Sequence, residues 1–244
     1  NLKFDKFEEK KPSEILDIFI EKNSDVLVSN KRENKNINLD IQRFKENFNN
    51  ICKKLTLNRQ KFLFAIYLAY HQTLDRKIEN INTMVHHSHS VEETRRFLED
   101  FRKSSLLVTI RDPRANLKSG ILNWINYDKK RDSQYYFYFY IRRVREDLKF
   151  AQKQTNEKFF LKLEEANDVK TKRKLSDFLG IQYNPEIMKA TFAGKIWSGD
   201  KISLSQAPKG EYNKNVLDNQ WGEFFSKKDQ MILNYIYKDY SFFG

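Results

Sequence analysis

A chain of 244 residues is long enough to bury a full core, and 39% apolar residues with 20 Phe and 12 Tyr exclude a disordered polymer despite 32% charged positions. The formal charge of +12, dispersed rather than gathered in a tail, favours anionic partners: nucleotides, sulfated or phosphorylated substrates, nucleic acid or a membrane surface. A single cysteine, Cys52, excludes an internal disulfide framework and a cysteine-based zinc cluster, and the absence of a long apolar run or a signal-peptide pattern leads us to expect no membrane span and a cytoplasmic protein.

Residues 1–11, with Glu8, Glu9, Lys10 and Lys11, read as a loop, and Pro12-Ser13 then starts a helix through Ile15, Leu16, Phe19 and Ile20. Residues 23–38 are polar apart from Val26-Leu27-Val28 and read as a loop with a short extended piece. Ile41, Phe44, Phe48, Ile51 and Leu55 recur at helical spacing, with Cys52 as an apolar filler in that pattern. A third helix is expected from residue 59 to residue 78, with Phe62, Leu63, Ile66, Leu68 and Ala69 on a broad apolar face and His71 packed or at the surface. Residues 81–86 look like a short strand that ends in Val85-His86-His87-Ser88-His89. Ser90 and Glu93 form a capping box for the next helix, whose inner face is Phe97, Leu98 and Phe101.

Residues 105–110 are an apolar, β-branched run, the pattern of a strand buried on both faces. Asp112-Pro113 breaks it, and Pro113 suits the first position of a helix that runs to about residue 127. Such a helix opens at the carboxyl end of the strand, where an open parallel sheet binds ligands, and its N–H groups and dipole favour an anion there. Arg111 leaves the strand at that point and Ser119 lies about two turns along the helix. A phosphate site is the natural reading; an Arg111 paired with a carboxylate is the plain alternative.

Residues 133–154 are helical in pattern, with six consecutive aromatics from Tyr135 to Tyr140 that suggest a helix buried on several sides or a platform for bases or sugars. Residues 158–163 form a strand, and residues 168–179 a helix ending at Gly180. Residues 191–212 are rich in turn chemistry, and Ser226 with Asp229 caps a last helix through Ile232, Leu233 and Ile236. Strands separated by helices make an α/β domain with a parallel sheet flanked by helices and a helical insertion near the N-terminus; residues 1–244 are read as one domain.

The run VTIRDPRANLKS, residues 108–119, resembles the 3′-phosphate-binding motif of sulfotransferases that use 3′-phosphoadenosine 5′-phosphosulfate (PAPS). Further fragments follow in that family's order over residues 81–244. FLKLEE at 160–165 is similar to its strand ending in RYED, and LSDFLGI at 175–181 to the helix end after it. Trp197-Ser198-Gly199-Asp200 and Phe242-Phe243-Gly244 are similar to its C-terminal segment. Leu163 stands where many members carry a tyrosine near the adenine, so no base-stacking role is carried onto it. The family's glycine-rich phosphate loop has no counterpart here. The nearest run, VLVSNK at 26–31, lacks the glycine that lets a backbone cradle phosphate, and the loop and first strand are expected upstream of Asn1.

The resemblance implies a P-loop-NTPase-like sulfotransferase fold and transfer of a sulfuryl group from PAPS to a hydroxyl of a carbohydrate or other small acceptor, leaving adenosine 3′,5′-bisphosphate. Arg111 and Ser119 would hold the 3′-phosphate, with Arg114 beside them. Pro208-Lys209-Gly210 looks like the family's Arg-Lys-Gly loop and adds Lys209 and Gly210; Lys195, beside Gly194, is an equal contact candidate. For the base, His89 comes first, because its spacing to Arg111 matches that of the cytosolic members' base histidine, and His87 second. Other members use a glutamate after the phosphate loop, which brings in Glu8 and Glu9. The histidines show no fourth ligand at a recognisable spacing, so no metal is expected, and ordinary surface histidines are the plain alternative. The rival functions are a nucleotide-binding homologue without catalysis and, less favoured, a basic nucleic-acid-binding protein.

Overall fold

The computed structural model describes residues 10–27, 39–56, 58–79, 83–127, 133–189, 191–192, 195–196 and 221–238. Its contacts divide into two compact units, residues 1–87 with 96–101 and residues 88–95 with 102–244, where the sequence reads as one domain. In the first unit lie the helices α1 (Pro12–Leu27), α2 (Ile41–Cys52) and α3 (Arg59–Thr73). Phe44 and Phe48, one turn apart on α2, meet Phe62, Ala65 and Ala69 of α3 and Ile15 and Leu16 of α1 in a closed core. Asp40 and Asn58 cap α2 and α3 by accepting from Arg43 N and Lys61 N, each at 2.9 Å.

Three expectations for this unit need correction. α1 continues past residue 23 to Leu27, because Asn23-Ser24-Asp25 holds neither glycine nor proline to stop it. α3 ends at Thr73, well before residue 78. Asp75 takes a left-handed φ of 53° and closes the helix, with Arg76 N donating to His71 O at 3.0 Å and Asp75 N to Gln72 O at 3.1 Å. Both carboxylate oxygens of this Asp75 accept from Arg43 of α2. The strand expected over 81–86 does not form where it is described: residues 83–88 are irregular and Val85 is 66% exposed. A short extended run becomes a strand only by pairing with another, and residues 83–88 belong to neither sheet of the described residues.

Next in the chain comes α4 (Val91–Asp100), opened by the Ser90–Glu93 capping box. The second unit is built on β1 (Leu106–Ile110), α5 (Pro113–Tyr127), α6 (Ser133–Lys153) and β2 (Lys158–Lys162). β1 and β2 pair in parallel, from Leu106 opposite Lys158 to Ile110 opposite Lys162. A 3₁₀ turn, Leu163–Glu165, leads to α7 (Val169–Leu179), which stops at Gly180 with φ of 64° as expected. Beyond it lie a short hairpin of β3 (Thr191–Phe192) and β4 (Lys195–Ile196), then α8 (Trp221–Phe224) and α9 (Lys227–Ile236). The protein is thus α/β and mostly helical, with a small two-stranded parallel sheet. No helix among the described residues is long and apolar enough to cross a membrane.

The pleat sends Val108, Ile110 and Phe160 into one core with Leu117 and Ile121 of α5, Val144 and Leu148 of α6 and Leu233 of α9. Phe159 and Leu161 enter a second core against Leu175, Phe178 and Leu179 of α7. β1 is buried on one face only, contrary to its apolar pattern: Leu107 is 38% exposed and Thr109 is exposed too. α7 follows β2 after the 3₁₀ turn and packs on Phe159 and Leu161 of that strand. The aromatic run on α6 is also one-sided, with Tyr136 buried and Tyr135, Tyr138 and Phe139 exposed.

Candidate functional site

At the carboxyl end of the sheet, Ile110 is buried and the chain passes through Arg111 and Asp112 into α5. Asp112 is the N-cap. Its carbonyl accepts from Asn116 N at 2.8 Å and its Oδ1 from Arg114 N at 2.8 Å, while Pro113 fills the first helical position without an N–H to satisfy. The anion at this helix N-terminus is therefore the protein's own Asp112 carboxylate, where the sequence suggests open N–H groups. Arg114 reinforces it: Nε donates to Asp112 Oδ1 at 2.9 Å and a terminal nitrogen to Oδ2 at 2.8 Å. Its other terminal nitrogen donates to Asn234 Oδ1 at 2.8 Å, and the guanidinium stacks 4.6 Å over the ring of Trp221. Arg114 thus ties the start of α5 to α8 and α9, and its donors are engaged inside the protein.

Arg111 is half-buried at the junction, with its Nε turned away from solvent. Ser119, also half-buried, lies seven residues after the N-cap, about two turns along α5 and on the same side. The next residue, Gly120, lets α6 approach closely, for a Cβ there would stand 2.8 Å from Tyr140 Cζ. Across the sheet, Glu164 in the turn after β2 reaches back to this junction. Its Oε1 accepts from Asp112 N at 3.1 Å, so the peptide that joins Arg111 to Asp112 is pinned by the neighbouring strand's end. Glu164 carries no role in the sequence reading, although it stands in the FLKLEE run and just past a strand that ends beside Ile110.

The histidines do not stand at a strand end. His86 stacks on Phe97 with centroids 4.6 Å apart, and Phe97 stacks in turn on Phe101 at 4.4 Å. His87 is exposed in the irregular segment. His89 precedes the N-cap of α4 and is fixed through its backbone: its N–H donates to Glu93 Oε2 at 2.7 Å, and its carbonyl accepts from Arg143 of α6. Its side chain belongs to an exposed residue. Lys195 lies in β4, where its backbone pairs with Phe192, but its side chain is not among those described. Glu8, Glu9, Lys209 and Gly210 lie outside the described residues. No group of three His, Cys, Asp or Glu among the described residues is arranged to hold a metal ion.

Against known proteins the chain stands apart: no family model, no curated protein and no solved structure matches it. Arg111, Asp112, Ser119 and Glu164 at the end of the parallel strands are what the fold itself offers as a site.

Proposed function

We propose that the protein binds a 3′-phosphorylated adenosine nucleotide at the β1–α5 junction and acts as a PAPS-dependent sulfotransferase. One observation carries the reading. A half-buried arginine, Arg111, follows a strand of a parallel pair where α5 opens, and Ser119 lies about two turns along that helix, in line with its N-cap. A guanidinium and a hydroxyl so arranged suit a phosphate dianion, the arginine by charge-assisted bonds and the serine by a single donated one. The group such a donor supplies is a sulfuryl moiety on the nucleotide's 5′-phosphate. In the transfer, the acceptor hydroxyl oxygen forms a bond to sulfur as the bond from sulfur to the phosphate oxygen breaks. The hydroxyl proton passes to a base, and adenosine 3′,5′-bisphosphate departs. His89 is the first candidate for that base, ahead of His87 and the carboxylates Glu8 and Glu9. The acceptor is a carbohydrate or another small hydroxyl compound.

Thermal melting with nucleotides tests the reading. Adenosine 3′,5′-bisphosphate is expected to raise Tm well above the effect of adenosine 5′-monophosphate. Arg111→Ala should weaken its binding by about 2–4 kcal/mol and Ser119→Ala by about 1 kcal/mol. Equal binding of both nucleotides would end the proposal. In a turnover assay His89→Ala should lower kcat by roughly 10²–10⁴-fold with little change in nucleotide affinity. Near-normal turnover in that variant, with loss in Glu8→Gln or Glu9→Gln, would move the base to the N-terminal carboxylates.

A further inference from the structure

The carboxylate of Glu164 is committed on one side only. Its Oε1 accepts from Asp112 N at 3.1 Å, but Oε2 is buried and meets no hydrogen-bond donor among the described residues. A buried carboxylate oxygen without a donor is costly, and few folded proteins keep one without a use for it. Two cations at this end of the sheet are engaged elsewhere: Lys162 pairs with Glu165 at 3.5 Å, and Arg114 with Asp112 and Asn234. The Oε1 contact places this acceptor beside the peptide that follows Arg111. An acceptor there repels a phosphate oxygen and attracts an O–H or N–H group. A ligand that satisfies both residues must therefore carry an anion and, next to it, a donor.

On a nucleoside 3′-phosphate the donor next to the phosphate is the 2′-hydroxyl of the adjacent ribose carbon; the amino group of adenine lies at the far end of the molecule. We infer that Glu164 Oε2 accepts a hydrogen bond from this 2′-hydroxyl, so that the site selects ribonucleoside 3′-phosphates over their 2′-deoxy counterparts. The inference rests on the nucleotide reading above, in which Arg111 takes the 3′-phosphate. Glu164 then has two tasks from one side chain: Oε1 sets the backbone beside the phosphate ligand, and Oε2 reads the sugar.

Calorimetric titration of the full chain with adenosine 3′,5′-bisphosphate and with 2′-deoxyadenosine 3′,5′-bisphosphate tests this. The native protein should bind the ribonucleotide roughly tenfold more tightly, the effect of one hydrogen bond to a carboxylate. In Glu164→Gln, which keeps an oxygen for Asp112 N, the preference should shrink to about twofold or less. Equal binding of the two nucleotides by the native protein would overturn the inference while leaving the nucleotide site standing, with Oε2 then no more than a place for a buried water. A preference that survives intact in Glu164→Gln would also overturn it, because the hydroxyl would be read elsewhere. Binding of neither nucleotide would remove both proposals. The comparison of the two nucleotides on the native chain needs no variant to fold.

Discussion

Burial shifts two groups of the first unit in opposite senses. Burial pushes the Cys52 thiol up to about 11 from an ordinary 9.0, and burial, helped by Arg76, holds His71 below its ordinary 6.5. Cys52 keeps its proton longer folded than unfolded, so its contribution is complete below pH 9.0 and is lost as pH rises through about 11. His71 behaves in the opposite sense. Folding favours its neutral form, so its contribution is complete above pH 6.5 and is lost as pH falls through its depressed value. Urea midpoints measured across pH should show a plateau between these limits with a decline on each side. Cys52→Ser should flatten the alkaline decline and His71→Gln the acid one. A decline unchanged in either variant would assign it to other groups.

At the scale of elements, the α5–α6 contact is the tightest test of the packing. Three ring atoms of Tyr140 would lie 2.8–3.0 Å from a Cβ at position 120, so the ring sits broadside on Gly120. Alanine gains about 1 kcal/mol of helix propensity there, but moving a packed ring costs about 1–3 kcal/mol. Gly120→Ala should therefore destabilise the protein in urea titrations, and Tyr140→Leu in the same chain should turn that loss towards a gain. A stabilising Gly120→Ala on its own would mean that the ring is not held against α5.

The same elements explain what could be read in advance. Asp112-Pro113, Ser90 with Glu93, Gly180 and Ser226 with Asp229 are local devices, and each marks a helix end where the sequence puts it. The end of α3 was hidden because Asp75 occupies a left-handed position usually given to glycine, and it is gripped there by an arginine 32 residues away. The buried side of α6 was legible in principle, since Tyr136, Tyr140, Val144 and Leu148 repeat every four residues, but six adjacent aromatics mask that spacing. Leu107 looks as apolar as Val108, and only the place of α7 decides which of them is covered. Glu164 stands in the FLKLEE run, but its contact was not legible for the same reason, because its partner at Asp112 is 52 residues distant.

For the molecule as a whole, the charge of +12 draws anions in general and chooses none. Solvated pairs such as Lys45–Asp17, Arg43–Asp75 and Arg142–Glu146 cancel within themselves, so they add nothing to that excess, contribute little stability and make no site. Selectivity has to come from geometry at the end of the sheet. There the half-buried Arg111, the capped start of α5 and the reach of Glu164 are held by neighbours in sequence and by a strand far along the chain.

That distance also orders events in time. β1 and β2 pair residue for residue across a constant offset of 52 positions, so the sheet closes only after the intervening chain is drawn in. α5 and α6 are consecutive and pack on each other, which shortens the path before the strands meet. The sheet end, where Glu164 reaches the Arg111–Asp112 peptide, is then expected among the last regions to form in refolding. In stopped-flow refolding, Leu117→Ala in α5 should slow the folding limb, whereas Leu161→Ala in β2 should chiefly hasten unfolding. The reverse pattern would mean that the strands meet first. A ligand gripping both strand ends acts as a late clasp on this slow closure, so bound nucleotide should lengthen the lifetime of the folded state far more than it quickens its formation.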